Sequence, residues 1–329
     1  MQTARVVSQD HHFYTVEFKD GRRSEARVSG AYSYRVVEAS DYPVVGDYVR
    51  VDSEPDSDAG VLIHIHEILP RKAVLQRRRP GDRDAAQVIA SHVDVALLVF
   101  GLDGGRAFTE GLLSRLVTTV RAGRVRPLIV LNKADLAEND RRAAIIRIAQ
   151  TAVPHEAVCV VSARTGEGIP ELRALWTAGE TICLLGTSGV GKSSLLNRLA
   201  GAVLAREGEV RGDYKGRHTT TFRRLFRLPD GTAVIDVPGM RELHLWSGTD
   251  AVEYSFDDIR SLASGCRFRN CTHRHEPGCA VQQAIRDGAL EPERFEQYLK
   301  LSSEASYIEQ RVDRFAREER DRQHKPGSP

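Results

Sequence analysis

The sequence predicts a multidomain protein with an N-terminal β-barrel of the OB type, a central α/β domain on a parallel sheet, and a mainly helical C-terminal segment. Three observations favour this fold class. Short strand-like runs separated by turns lie near the N-terminus, strand and helix patterns alternate around a glycine-rich loop in the middle, and three of the five cysteines share one short window near the end. The predicted domains are residues 1–72, 91–250 and 251–329, and residues 73–90 are assigned to a basic linker.

The barrel prediction rests on five short runs rich in Val, Tyr, Phe and Ile. The runs cover residues 4–7, 12–18, 25–28, 48–51 and 61–68. A turn sequence, Lys19-Asp20-Gly21, separates the second run from the third. Small five-stranded barrels often bind single-stranded nucleic acid, and some ring side chains here suit stacking or phosphate contacts, although a place in the core or on the surface is the commoner role. These side chains are His11, His12, Phe13, Tyr14, Tyr32 and Tyr34.

Charge and hydropathy narrow the classes of function. The formal net charge is +2 over 329 residues, so the charge of the whole chain does not by itself indicate nucleic-acid binding. Arg77 to Arg79 and Arg83 make the linker locally basic, and RNA contact and a solvated face are equal alternatives for them. No apolar run approaches the roughly twenty residues that span a bilayer, and no secretory leader is seen. We therefore expect a cytoplasmic, monomeric protein without a membrane partner.

The middle of the chain alternates strand and helix patterns, a rhythm typical of a parallel sheet with helices on both faces. Predicted strands cover residues 93–100, 125–131, 157–161 and 181–185, and predicted helices cover residues 109–121, 141–150, 169–177 and 194–200. Such sheets bind ligands at the carboxyl ends of their strands. The polar loops that follow these strands are therefore candidate binding loops.

A phosphate loop is the strongest single signal. Residues 186–193 fit G-x-x-x-x-G-K-[ST] between a predicted strand and a predicted helix, a context that disfavours a chance glycine-rich turn. The loop's backbone N–H groups and the helix N-terminus attract phosphate oxygens. Lys192 is predicted to reach the β- and γ-phosphates, and the Ser193 hydroxyl to bind Mg²⁺. The predicted binding residues are Gly186, Thr187, Ser188, Gly189, Val190, Gly191, Lys192, Ser193 and Ser194.

A second loop indicates guanine as the base. Asn132-Lys133-Ala134-Asp135 follows a buried strand pattern, and the Asp135 carboxylate can accept hydrogen bonds from the ring N–H and the exocyclic amine of guanine. Adenine offers no such pair of donors. Asn132 and Lys133 are expected to brace the loop and cover the base. Ser162-Ala163, after another strand pattern, resembles a loop that offers a backbone N–H to guanine O6. Two ordinary surface turns are the alternative.

Two segments after the phosphate loop complete a GTPase pattern. Asp236-Val237-Pro238-Gly239 fits D-x-x-G, in which Asp236 holds Mg²⁺ through water and the Gly239 N–H contacts the γ-phosphate. The run Thr219-Thr220-Thr221 offers hydroxyls for the magnesium shell in the GTP state. Thr220 is the preferred ligand, with Thr219 as its close rival. A β-propensity stretch that enters the next strand is the structural alternative.

The water-positioning group is not evident. Met240 stands where many GTPases carry a glutamine that orients the attacking water, and a thioether does this poorly. Slow unaided hydrolysis is therefore predicted. His218 is the nearest candidate in the sequence for the missing role, and a solvated histidine is an equal alternative.

The cysteine window predicts a structural zinc site. Cys266, Cys271 and Cys279 lie within fourteen residues, together with His273 and His275. Three thiolates and one imidazole close a tetrahedron around Zn²⁺ and leave no open position for catalysis. Either histidine can complete this set, and unligated thiols are the alternative. The odd cysteine count argues against a disulfide framework.

The guanine loop precedes the phosphate loop, whereas in most GTP-binding proteins the order is the reverse. The order N-K-A-D, S-A, G-T-S-G-V-G-K-S-S, G-R-H-T-T-T and D-V-P-G resembles that of circularly permuted GTPases. It is most similar to the ribosome small-subunit-dependent GTPase A family (RsgA, also called YjeQ), and the resemblance covers nearly the whole chain. That family carries a zinc site with the spacing of Cys266, Cys271, His273 and Cys279, so the resemblance favours His273 over His275.

The resemblance implies a GTP hydrolase that acts late in the assembly of the small ribosomal subunit and is stimulated by it. It also implies that the barrel and the zinc segment contact ribosomal RNA. A GTPase switch for a non-ribosomal protein partner is one alternative. A nucleic-acid-binding protein with a vestigial nucleotide pocket is another.

Overall fold

The computed structural model describes residues 1–10, 13–36, 39–52, 62–78, 86–103, 108–205, 223–237, 252, 255–303 and 305–306. It confirms the predicted fold class: a closed five-stranded barrel, a mostly parallel α/β sheet and a helical C-terminal segment. Among the helices of these ranges, none is long and apolar enough to cross a bilayer.

The N-terminal barrel consists of five strands and one short helix. Their bounds are β1 Gln2–Asp10, β2 Phe13–Phe18, β3 Arg23–Val28, β4 Tyr48–Val51, β5 Ile63–Ile68 and α1 Gly30–Arg35. The order is β1-β2-β3-β5-β4, and β1 also pairs with β4, which closes the barrel; β3 and β5 are parallel. Tyr14 is a core residue, whereas Phe13 and Tyr34 are exposed. His11 and His12 lie outside the described residues.

The α/β domain has six strands in the order β10-β9-β8-β11-β13-β12, parallel except for β12. The strands are β8 Val95–Gly101, β9 Arg126–Asn132, β10 Val158–Val160, β11 Thr181–Leu185, β12 Arg223–Arg227 and β13 Ala233–Asp236. The helices are α2 Glu110–Ala122, α3 Asn139–Ala152, α4 Ile169–Arg173 and α5 Lys192–Ala200. Every residue of β8 and β11 is buried, because apolar clusters cover both faces of the sheet.

The segment assigned to a basic linker contains an antiparallel hairpin. Its strands are β6 Val74–Arg78 and β7 Ala86–Ser91. Leu75 and Ile89 are buried in the same apolar cluster as the inner face of α2. Residues 73–90 are therefore packed structure in their described part, and Arg79 and Arg83 lie outside it. The boundaries of the flanking domains stay predictions.

The barrel and the α/β sheet are joined edge to edge, which the sequence analysis did not predict. β1 pairs with β12, so the two form one continuous eleven-stranded sheet. Buried Glu17 accepts hydrogen bonds from Arg227 of β12 at 2.6 and 2.9 Å and from Arg23 of β3 at 2.8 and 3.1 Å. Arg5 donates to Thr181 Oγ1 of β11 at 2.8 Å. The strand that follows the predicted threonine loop is thus bonded directly to the barrel.

The C-terminal segment forms its own apolar cluster and rests on the α/β domain. It contains α6 Asp257–Ala263, α7 Ala280–Arg286 and a helical stretch at residues 292–303. Arg294 is 5% exposed and donates to both carboxylate oxygens of Asp258, at 2.5 and 2.8 Å, and to the carbonyl of Ala152 at 2.6 Å. Its guanidinium also lies over the ring of Phe256. One side chain therefore ties α6 and residues 292–303 to the end of α3.

Arg294→Met is expected to weaken the attachment of the C-terminal segment by about 3 kcal/mol, because the change leaves a half-buried carboxylate and a buried carbonyl without their partner. Hydrogen exchange of the amides at residues 292–303 would measure the loss as faster local opening. Arg260→Met is the matched control, since Arg260 pairs with Asp257 on the exposed face of α6 and should change exchange little. Equal effects of the two changes would contradict this prediction.

Candidate nucleotide and metal sites

The phosphate loop has the backbone geometry that its glycines predict. Gly191 has a φ of 92°, and a Cβ there would lie 2.4 Å from Asn132 Nδ2. Gly186 has a φ of 153°, and a Cβ there would lie 2.4 Å from the Val99 carbonyl oxygen. Both positions therefore require glycine, for conformation and for space. The loop follows β11, and its last two residues are the first two of α5, so its N–H groups lie at a helix N-terminus, where anions bind.

Lys192 is folded into the loop. Its side chain is 9% exposed, and its Nζ donates to the carbonyl oxygens of Gly186 at 2.7 Å and Thr187 at 3.0 Å. Burial lowers the pKa of Lys192, and the negative charge of Asp236 opposes that shift. An ammonium held in this way is available to phosphate oxygens within the same loop.

Asn132 brings the three predicted binding loops together. It ends β9, is 1% exposed, and donates from Nδ2 to the Val190 carbonyl of the phosphate loop at 2.9 Å. Its Oδ1 accepts from the Ala163 backbone N–H at 3.0 Å. That N–H is therefore engaged by the protein here, and the donor to guanine O6 stays a prediction. The bracing predicted for Asn132 takes the form of an amide side chain that is hydrogen-bonded to a residue 58 positions further along the chain.

Asp135 lies beside this bridge with both oxygens engaged. Oδ1 accepts from Ser162 Oγ at 2.5 Å, and Oδ2 accepts from Arg164 Nε at 2.7 Å. The hydrogen bond from Ser162, and next the one from Arg164, hold the pKa of Asp135 below its usual range. The carboxylate is thus ionised and oriented at neutral pH, as an acceptor for guanine must be. Lys133, in the left-handed region with a φ of 66°, pairs with Asp103 at 2.5 Å.

The predicted magnesium ligands are only partly within the described residues. Asp236 is the last residue of β13 and is in register with Leu184 of the neighbouring strand β11. Leu184 is one residue before the end of β11, which leads into the phosphate loop. Ser193 is the second residue of α5. A hydroxyl and a carboxylate at one edge of a sheet fit Mg²⁺, which prefers oxygen ligands and retains waters. Outside the described residues lie His218, Thr219, Thr220, Thr221, Gly239 and Met240.

The cysteine window folds into a compact cluster. The ligand atoms of Cys266, Cys271, His273 and Cys279 all lie within 4.8 Å of one another. Cys266 Sγ is 3.8 Å from Cys279 Sγ, and His273 Nδ1 is 3.4 and 3.5 Å from these two sulfurs. A tetrahedron with Zn–S bonds of about 2.3 Å and a Zn–N bond of about 2.05 Å has edges of about 3.5–3.8 Å. The cluster therefore fits zinc, with His273 and not His275 in the set.

One further side chain, that of Glu276, holds the cluster in place, and it was not among the predicted site residues. The Glu276 carboxylate accepts from the backbone N–H groups of Thr272, Arg274 and His275 at 2.8–3.1 Å. These bonds fix the loop that presents His273. Burial lowers the pKa of His273, which favours the neutral imidazole that binds metal. The only signal in the sequence is an acidic residue, Glu276, three positions after His273. Its partners are backbone N–H groups, which every residue type except proline carries, so no sequence motif marks them.

Asp103 and Arg164 were missed for a similar reason. Each pairs with a residue of the guanine loop, at a separation of 30 and 29 positions respectively. Ion-pair partners so distant in sequence have no periodicity that marks them. Arg164 follows the predicted Ser162-Ala163 pair directly, and that adjacency was its only visible signal.

Comparisons with known proteins agree with this geometry. The sequence pattern of the family described as RsgA GTPase matches residues 68–246. A protein from Opitutus terrae, named small ribosomal subunit biogenesis GTPase RsgA, is 44% identical over 97% of this chain and 88% of its own. A protein of the same name from Syntrophotalea carbinolica is 40% identical over 92% of this chain and 82% of its own.

Solved structures show the same architecture. The crystal structure of YjeQ from Thermotoga maritima superposes with a TM-score of 0.69 and 25% identity, over 92% of this chain and 98% of that one. The crystal structure of YloQ, described as a circularly permuted GTPase, superposes with a TM-score of 0.66 and 26% identity, over 93% and 95% of the two chains.

Proposed function

The chain belongs to the RsgA GTPase family, and from this premise we propose that it hydrolyses GTP in late maturation of the small ribosomal subunit, to which it binds in the cytoplasm. The observation that supports the proposal is the Asn132 bridge, because the first residue of the guanine loop is hydrogen-bonded to Val190 of the phosphate loop and to Ala163, although the order of these loops in the chain is reversed. The relatives' names supply the subunit as partner. No observation on the described residues favours a non-ribosomal partner or a vestigial pocket.

In the proposed site each group has a separate role. Asp135 accepts the guanine donors, and Asn132 holds its loop against the phosphate loop. Lys192 neutralises phosphate charge as water attacks the γ-phosphoryl group. Ser193 and Asp236, with Thr220, would hold Mg²⁺, which would supply positive charge to offset the charge of the phosphates. Gly239 would contact the γ-phosphate, and His218 is the candidate for positioning water. The zinc cluster has four protein ligands, and its role is therefore structural.

Lys192→Ala is expected to reduce the kcat/KM for GTP by about two orders of magnitude, because it removes the side-chain cation that we expect to contact the phosphates. Released phosphate would be measured with and without purified small subunits. Lys300→Ala, at an exposed lysine on the C-terminal helical stretch, should leave both rates unchanged. Turnover that survives Lys192→Ala would contradict hydrolysis at this pocket.

The partner is tested separately by cosedimentation of the chain with small subunits. Binding should be stronger with a non-hydrolysable GTP analogue than with GDP, because only the former presents a γ-phosphate to the switch residues. Equal binding in both states would argue against a nucleotide-dependent role on the subunit. Absence of binding would reopen the alternative of a non-ribosomal partner.

A further inference from the structure

Arg164 is hydrogen-bonded to the Asp135 carboxylate, the group that the proposed function assigns to guanine recognition. Its Nε and Nη2 both lie 2.7 Å from Oδ2 of Asp135. The Asp135 side chain is 10% exposed, whereas that of Arg164 is 72% exposed. The guanidinium therefore reaches the carboxylate from the solvent side, the side on which a base can enter.

Arginine and guanine offer the same donor pattern. The Nε–H and Nη–H groups of a guanidinium are two parallel donors in one plane. The ring N–H and exocyclic amine of guanine are also two parallel donors in one plane. Asp135 Oδ1 is already held by Ser162, so a base that donates twice to this carboxylate needs Oδ2, where both Arg164 donors converge. The two groups therefore compete for one acceptor.

The backbone of Arg164 is fixed by hydrogen bonds, whereas its side chain is exposed to solvent. Arg198 of α5 donates from Nε to the Ala163 carbonyl at 2.7 Å and from Nη2 to the Arg164 carbonyl. Because α5 follows the phosphate loop, the loop that carries Arg164 is fixed to the same framework as the phosphate site. Exchange of Arg164 for a base thus requires a rotation of one exposed side chain and no movement of the loop.

We propose, resting on the proposed function, that Arg164 is an internal competitor for guanine: it pairs with Asp135 in the nucleotide-free protein and is displaced when guanine binds. The pairing holds Asp135 oriented and ionised before the base arrives. It also lowers the affinity for guanine nucleotides, because each binding event must break the pair. Adenine lacks two adjacent donors, so it does not replace the hydrogen bonds that Arg164 donates to the Asp135 carboxylate.

The test is the Kd of a fluorescent GDP analogue for purified full-length variants. Arg164→Ala is expected to tighten binding about three- to tenfold, because the competitor is gone. General electrostatics predicts the opposite sign, since the change removes a positive charge near a polyanion. Arg142→Ala is the matched control: Arg142 pairs with Glu167 at 2.6 Å, away from Asp135, and its loss should not tighten binding. Unchanged or weaker binding by Arg164→Ala overturns the proposal.

A double-mutant cycle assigns the effect to the carboxylate. In an Asp135→Asn background, Arg164→Ala should tighten binding of a nucleotide that this background accepts, such as a fluorescent XDP analogue, much less, because a neutral amide holds the guanidinium more weakly than a carboxylate does. The same gain in both backgrounds would overturn the proposal. If the unchanged protein binds and hydrolyses GTP but Arg164→Ala fails to tighten binding, the inference fails alone. If the unchanged protein does not bind GDP, the proposed function fails with it.

Discussion

Asp135→Asn is expected to reduce the affinity for GTP by about 10²- to 10⁴-fold and to make XTP the preferred nucleotide. In the proposed site the carboxylate would accept two hydrogen bonds from guanine, whereas an amide presents one acceptor and one donor, so its N–H₂ would face the guanine amine. A ligand that leaves polar groups of a hydrogen-bonding site unpaired loses much affinity. The loss is far larger than the one caused by a small change of shape in an apolar site. Xanthine carries a carbonyl where guanine carries the amine, and that carbonyl accepts from the amide.

The measurement is the affinity of the protein for GTP and for XTP, each determined by displacement of a bound fluorescent nucleotide. The rate of hydrolysis of each nucleotide is then measured. Asp140→Asn is the matched control, because Asp140 is an exposed carboxylate in the first turn of α3 that touches neither loop. It should leave the GTP-to-XTP preference of the protein unchanged. Retention of GTP affinity by Asp135→Asn would show that the base does not reach this carboxylate, and the proposed pocket would have to be abandoned.

Removal of the zinc ion that we propose at the cysteine cluster is expected to unfold the described C-terminal segment, residues 255–303, while the α/β domain stays folded. Structural zinc contributes about 10–16 kcal/mol of apparent binding free energy in small zinc domains, as much as the whole stability of many domains. The apolar cluster of this segment is small, and the ligands Cys266, Cys271 and Cys279 pack against or within it. The helices α6 and α7 should therefore lose their hydrogen-exchange protection when a chelator removes the ion.

Metal content and exchange together test this prediction. Cys279→Ser should lower the bound zinc from one equivalent and expose the same amides as the chelator does. Cys159→Ser is the control, since Cys159 lies in β10, outside the cluster, and should leave the metal content unchanged. A chelated protein that retains full protection in α6 and α7 would contradict a structural metal.

Motifs formed by residues close together in the chain are visible in the sequence. The phosphate loop was evident because its glycines, lysine and serine must be adjacent to wrap one phosphate group. The metal ligands were evident because four of them fall within fourteen residues, and the structure adds the choice of His273. The parallel sheet followed from the length and apolarity of its strands, which are buried on both faces. The hairpin at residues 74–91 was missed because its arginines suggested a solvated linker.

The sequence by itself indicated most strands of the barrel and of the parallel sheet, the loops proposed to bind phosphate and base, and the four side chains that cluster as candidate metal ligands, because each of these depends on local spacing and periodicity. Only the tertiary structure decided which edges and side chains meet: β1 with β12, Asn132 with the phosphate loop, and Arg164 with Asp135. Hydrophobic periodicity states which face of an element is buried but not what covers it. Polar partners far apart in sequence are selected only when packing has brought them within hydrogen-bond distance.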